Sequence, residues 1–130
     1  MNSALRVLVV DDEPIVRDML AEVLGDAGIN VIGQASDGIE GVALARTSQP
    51  DAILLDIRMP NLDGLAAGRQ IRETDPYVRI VFFSAYDDPA LKQEAQAVGA
   101  STLLVKGCPL GEIVDALNGR DSASTAFAIA

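Results

Sequence analysis

The sequence contains no histidine and only one cysteine, Cys108. Without histidine the chain has no zinc site of the usual kind and no Ser-His or Cys-His dyad. Nor can it carry a phosphohistidine itself. A lone cysteine excludes an internal disulfide and fits a reducing compartment, so a cytoplasmic location is expected. Positive charge is also scarce: 10 Lys and Arg against 19 Asp and Glu give a net charge of −9. Nucleic-acid phosphates would repel such a domain, so it is not expected to bind nucleic acid by itself. The acid excess suits a cation or a basic partner instead. No apolar run approaches the length of a bilayer span, so no membrane association is expected. Met1-Asn2-Ser3-Ala4 leads straight into a strand-like run, which reads as the lack of a secretory leader.

What the chain does have is 130 residues, 49% of them hydrophobic, enough for one domain with a real core. Four short apolar runs stand out: Val7-Leu8-Val9-Val10, Ala52-Ile53-Leu54-Leu55, Ile80-Val81-Phe82-Phe83 and Leu103-Leu104-Val105. Uniformly apolar runs of this length, alternating with helical patterns, read as parallel strands buried on both faces. A weaker strand is expected around Val31-Ile32. Between the strands, Pro14 opens a helix whose apolar face is Ile15, Val16, Met19, Leu20, Val23 and Leu24, with Gly25 and Gly28 near its end. A second helix carries Ile39, Val42, Ala43 and Leu44. Asp63 reads as the N-cap of a third, Asp88-Pro89 opens a fourth that Gly99 ends, and Pro109 starts a fifth. Strict alternation with short connections implies a parallel sheet covered by helices on both faces.

Directly after the strands come Asp11-Asp12, Asp56, Ser84 and Lys106. Open α/β sheets gather such strand-end groups along one edge, where their sites lie. Three acids, a hydroxyl and an amine suit a divalent cation and a phosphoryl group. Adjacent carboxylates such as Asp11 and Asp12 repel unless a cation neutralises them, and oxygen-only donors suit Mg2+. Asp56 is placed to act as a nucleophile toward phosphorus, or else as a third metal ligand. Lys106 can pair with a phosphoryl oxygen or with Asp56, and Ser84 can donate a hydrogen bond. Cys108, before Pro109, is read as partly buried and inert.

Taken in order, Val9-Val10-Asp11-Asp12-Glu13, Leu55-Asp56-Ile57-Arg58-Met59-Pro60, Asp63-Gly64, Ser84-Ala85, Val98-Gly99-Ala100 and Val105-Lys106-Gly107 resemble the receiver domain of two-component response regulators. The resemblance covers residues 5–119. It implies a flavodoxin-like (βα)5 three-layer sandwich with a parallel five-stranded sheet of order 2-1-3-4-5. Residues 120–130 read as a disordered tail or truncated linker. The resemblance further implies that a sensor histidine kinase passes a phosphoryl group to Asp56, with Ser84 and Lys106 taking its oxygens. Mg2+, or Mn2+ in its place, would be held by Asp12, Asp56 and the backbone carbonyl of Arg58, with Asp11 acting through water. The modified domain would then change conformation to control a partner or an output domain, chiefly in transcription. A homodimer through the face of the fourth helix, fifth strand and fifth helix is expected.

Two departures from the family pattern stand out. Lys106 is followed by Gly107 rather than proline, which looks like the subfamily that often carries a C-terminal helix-turn-helix of the LuxR/NarL type. Leu103 stands where the family has a switch aromatic, and Tyr86, two residues past Ser84 in the loop that moves, is the candidate to substitute for it in part. Two other readings compete: a Mg2+-dependent phosphohydrolase with an aspartate nucleophile, and a receiver that only binds protein. The first requires a general acid two residues after the nucleophile, where this chain has Arg58. The complete acid, hydroxyl and lysine set opposes the second. The chain is therefore expected not to be an enzyme in the turnover sense.

Overall fold

The computed structural model describes residues 4–120, so the expected tail at 120–130 lies, apart from Arg120, outside the described residues. Ten elements alternate: β1 (Arg6–Val10), α1 (Pro14–Asp26), β2 (Asn30–Ala35), α2 (Gly38–Ser48), β3 (Ala52–Asp56), α3 (Gly64–Thr74), β4 (Arg79–Ser84), α4 (Pro89–Val98), β5 (Thr102–Val105) and α5 (Leu110–Leu117). The strands form one parallel sheet in the order β2-β1-β3-β4-β5. The expected flavodoxin-like order is thus present.

Period-two alternation explains how short apolar runs serve two cores at once. Leu8, Val10, Ile53, Leu55, Ile80, Phe82 and Leu103 face one layer, where Val42 and Ala45 of α2, Leu65 and Ile71 of α3, and Ala95 and Val98 of α4 meet them. The residues between them, Val7, Val9, Ala52, Leu54, Val81, Phe83 and Leu104, face Leu20 and Leu24 of α1 and Ile113, Ala116 and Leu117 of α5. Each run is apolar at every position because both faces are covered. The result is three layers, with α2, α3 and α4 on one side and α1 and α5 on the other.

The helix starts follow their sequence signals. Asp37, Asp63 and Asp88 accept from the backbone N–H of Glu40, Ala66 and Ala90 at 2.8, 2.8 and 2.9 Å. Each such cap contributes about 1 kcal/mol.

Two expectations need correction. The α1 face is narrower than its apolar residues suggest: Leu20 and Leu24 are buried, but Ile15 and Met19 stay exposed, at 83% and 51%. Only the stripe that meets the sheet is covered, and Ile15 and Met19 lie to one side of it. Ile39 of α2 is likewise exposed. Strand β2 runs on to Ala35, well beyond Val31-Ile32. Gly33 and Gln34 hide it from a hydrophobic reading because this edge strand is largely half-buried and slips register against β1 between Val7 and Leu8.

Candidate functional site

The ends of β1, β3, β4 and β5 bring the expected residues together at one edge of the sheet. Asp11 follows β1, Asp56 closes β3, Ser84 closes β4 and Lys106 follows β5. A cleft of about 200 Å³ is lined by Asp12, Glu13, Asp56, Arg58, Ser84, Ala85, Tyr86 and Lys106. Asp11, Asp56 and Ser84 are buried polar residues, each at most 4% exposed, whereas Asp12 lies open to solvent.

Lys106 is the hub. Its Nζ lies 2.9 Å from Asp11 Oδ2, 3.4 Å from Asp56 Oδ2 and 3.5 Å from Glu13 Oε1. Burial works against its charge, but the Asp11 and Asp56 carboxylates outweigh it and hold the amine above its ordinary range. The Lys106 N–H donates to Ser84 O at 2.7 Å, which ties the two strand ends together. Gly107 then turns the chain with φ of 97°, a value proline cannot adopt. That geometry accounts for glycine after the lysine.

Asp56 is under the opposite pressure. Burial first, and then the negative charge of Asp11, push its carboxyl up from 3.8 to about 7, with Lys106 pulling it back down in part. A carboxylate in this state gains from any further cation. One oxygen atom from each of Asp11, Asp12 and Asp56 can lie within 4.8 Å of the others. Asp11 Oδ1 accepts from the Glu13 N–H at 2.9 Å. Its buried Oδ2 touches Lys106 as an ion pair but lacks an aligned hydrogen bond. Hard oxygen donors, one of them incompletely satisfied, fit a hard cation such as Mg2+. Asp12, Glu13 and Asp56 are the carboxylates lining the cleft, and Arg58 lies two residues past Asp56 in the β3–α3 loop.

That loop is fixed from three sides. Gly64 packs so closely that a Cβ there would lie 1.9 Å from Asp56 O. The role of Gly64 is thus to allow this close approach behind Asp56. A Cβ on Gly38 would lie 2.0 Å from Leu62 O, and Asn61 Nδ2 donates to Asp37 Oδ2 at 2.8 Å.

Some contacts were not legible in sequence. Glu13 joins the lysine hub, and its only signal was a third acid in a row. The Arg58 guanidinium lies over the Tyr86 ring, 4.8 Å from its centroid, at the cleft mouth. The Tyr86 N–H donates to Ser84 Oγ at 3.1 Å. Cys108 is partly buried, and burial followed by Glu112 pushes its thiol upward, as an inert cysteine requires. Leu103 is buried among the residues facing α2, α3 and α4. Among the described residues, no helix is long and apolar enough to cross a membrane.

A family model described as the response regulator receiver domain matches residues 7–118. The probable transcriptional regulatory protein NarL of Mycobacterium tuberculosis is 37% identical over 122 residues, 90% of this chain and 56% of that protein. The chemotaxis protein CheY of Thermotoga maritima is 37% identical over 113 residues, 87% of this chain and 94% of that protein. The chain thus spans about half the length of the transcription-regulator relatives it matches. Among solved structures, the signal receiver domain of the Mycobacterium tuberculosis NarL superposes with a TM-score of 0.85 at 34% identity, covering 91% and 96% of the two chains. A CheX-CheY-BeF3-Mg2+ complex from Borrelia burgdorferi superposes with a TM-score of 0.84 at 29% identity, covering 88% and 87%.

Proposed function

This chain belongs to the response regulator receiver domain family of two-component systems, and from that premise we propose that Asp56 accepts a phosphoryl group from a sensor histidine kinase. The observation that carries the reading is the juxtaposition of a buried carboxylate, a half-buried lysine hub and two further acids at one edge of the sheet. The domain so used spans residues 5–119.

In the transfer, an Asp56 oxygen bonds to phosphorus as the P–N bond to the donor imidazole breaks, and the imidazole takes up a proton. Asp56 must be ionised to attack. Its upward-shifted pKa makes that state dependent on nearby positive charge, which Lys106 provides in part. Lys106 and Ser84 are placed to receive the phosphoryl oxygens. Asp12, Asp56 and the Arg58 carbonyl would hold Mg2+, with Asp11 behind them. Bound there, the metal would neutralise charge on the incoming group. The related CheX-CheY complex is a complex with both BeF3 and Mg2+. Arg58 occupies the place where an aspartate-based phosphohydrolase needs its general acid, which supports a single transfer rather than turnover.

Downstream, the modified domain controls a partner or an output domain, as the names of the transcription-regulator relatives suggest. The α4-β5-α5 face is the candidate for self-association. Incubation with phosphoramidate and Mg2+ should add one phosphoryl group by intact mass, and Asp56→Asn should abolish it. A mass gain surviving in Asp56→Asn overturns the assignment.

The two N-terminal acids should differ in their effects. Asp11 is already committed to Lys106 and the Glu13 N–H, whereas Asp12 is free to bind. In calorimetric titrations, Asp12→Ala should therefore weaken Mg2+ binding more than Asp11→Ala. The reverse order would contradict the assigned ligands.

A further inference from the structure

The Arg58 side chain has no part in the function proposed above, which uses only its carbonyl, yet it is the second cation lining the cleft after Lys106. Its guanidinium is stacked over the Tyr86 ring at 4.8 Å, and Tyr86 is tied back to Ser84 Oγ through its own N–H. The same side chain borders a neighbouring groove with Asp63, Leu91 and Glu94, so it stands on the wall between two cavities. Leu103 fills the inner core with an aliphatic side chain, leaving no ring at that position to respond to the site.

We propose that the Arg58 guanidinium is a phosphoryl-binding group, and that its move from the Tyr86 ring to the phosphoryl oxygens releases Tyr86 and the β4–α4 connection. An exposed cation–π contact is weaker than charge-assisted, bidentate hydrogen bonds to a phosphoryl group. The new anion can therefore outbid the ring, and the differential contact biases the two arrangements as a switch requires. Ser84 is drawn toward the same oxygens, so the Tyr86 N–H loses its acceptor at the same moment. The signal leaves the cleft along the outer path Arg58–Tyr86 rather than through the β5 core position. This inference rests on phosphorylation of Asp56.

The chain has two tyrosines and no tryptophan, so in a Tyr77→Phe background Tyr86 emission reports on this contact alone. Beryllofluoride with Mg2+ serves as the probe, its uptake followed independently by fluorine NMR. Tyr86 emission should change on uptake. In Arg58→Ala it should start near the bound value and barely move, while beryllofluoride affinity falls about tenfold, the effect of losing one charge-assisted contact. Arg58→Lys should recover part of the affinity, because charge survives without the fork. Equal affinity in Arg58→Ala, or uptake by the parent protein without a change in Tyr86 emission, overturns the proposal. Should phosphoramidate fail to modify Asp56 at all, the phosphoacceptor reading fails first and this inference falls with it.

Discussion

Asp56→Asn should stabilise the metal-free protein at pH 8 and leave it nearly unchanged at pH 4. The Asp56 carboxyl sits at about 7 in the fold against 3.8 for an ordinary aspartate. A raised acid pKa means that the folded state binds the proton more tightly than the unfolded chain. Its stabilising contribution is therefore complete below pH 4 and is lost as pH rises to about 7. That separation, converted at about 1.4 kcal/mol for each pH unit, corresponds to a loss of up to about 4 kcal/mol between the two conditions. Asparagine keeps the shape and cannot ionise, so it escapes the loss. Mg2+ should restore stability to the wild-type protein at pH 8 by binding the folded state, and should do much less for the variant. Urea unfolding at pH 4 and pH 8, with and without Mg2+, checks this. A wild-type domain that gains stability between pH 4 and pH 8 without metal would contradict the account of Asp56.

Gly64→Ala should destabilise the fold, although it adds a single methyl group at the start of a helix, where alanine is ordinarily favoured. The added Cβ would lie 1.9 Å from Asp56 O and 2.8 Å from Ile57 Cα, both rigid backbone atoms. Neither can rotate away, so the β3 end and the α3 start must part. Their separation would strain the Gly64 N–H to Ile57 O bond, now 2.7 Å. Overpacking of this kind costs about 1–3 kcal/mol or somewhat more. Because the displaced group is Asp56 itself, Mg2+ affinity should fall together with stability. Ala66→Gly, two residues further along α3, serves as a control that loosens the helix without touching Asp56. If Gly64→Ala unfolds like wild type and binds Mg2+ equally well, the close approach behind Asp56 does not matter.

The site was more legible in the sequence than the helix faces were. Asp11, Asp12, Asp56, Ser84 and Lys106 each follow a run of apolar residues, and a parallel sheet buried on both faces leaves those strand ends one shared edge. That is a topological consequence and survives errors of a residue or two in strand limits. Helix faces are different, because composition shows which residues are apolar but not how wide the covered stripe is. Ile15 and Met19 therefore read like Leu20 and Leu24, although only the latter pair meets the sheet. Strand β2 was only partly visible because an edge strand needs no continuous apolar run. The stacking of Arg58 on Tyr86 joins two loops, a contact that no local pattern encodes. Gly64 was visible as a glycine, but its closeness to Asp56 O required coordinates.

Locating the phosphoryl group chemically tests the central claim most directly. After phosphoramidate and Mg2+ treatment, borohydride reduces an acyl phosphate to the corresponding alcohol, and peptide mapping identifies the altered residue. The account predicts reduction at Asp56 alone, dependent on Mg2+ and absent from Asp56→Asn. Reduction confined to another carboxylate, such as Asp11 or Asp12, would contradict it.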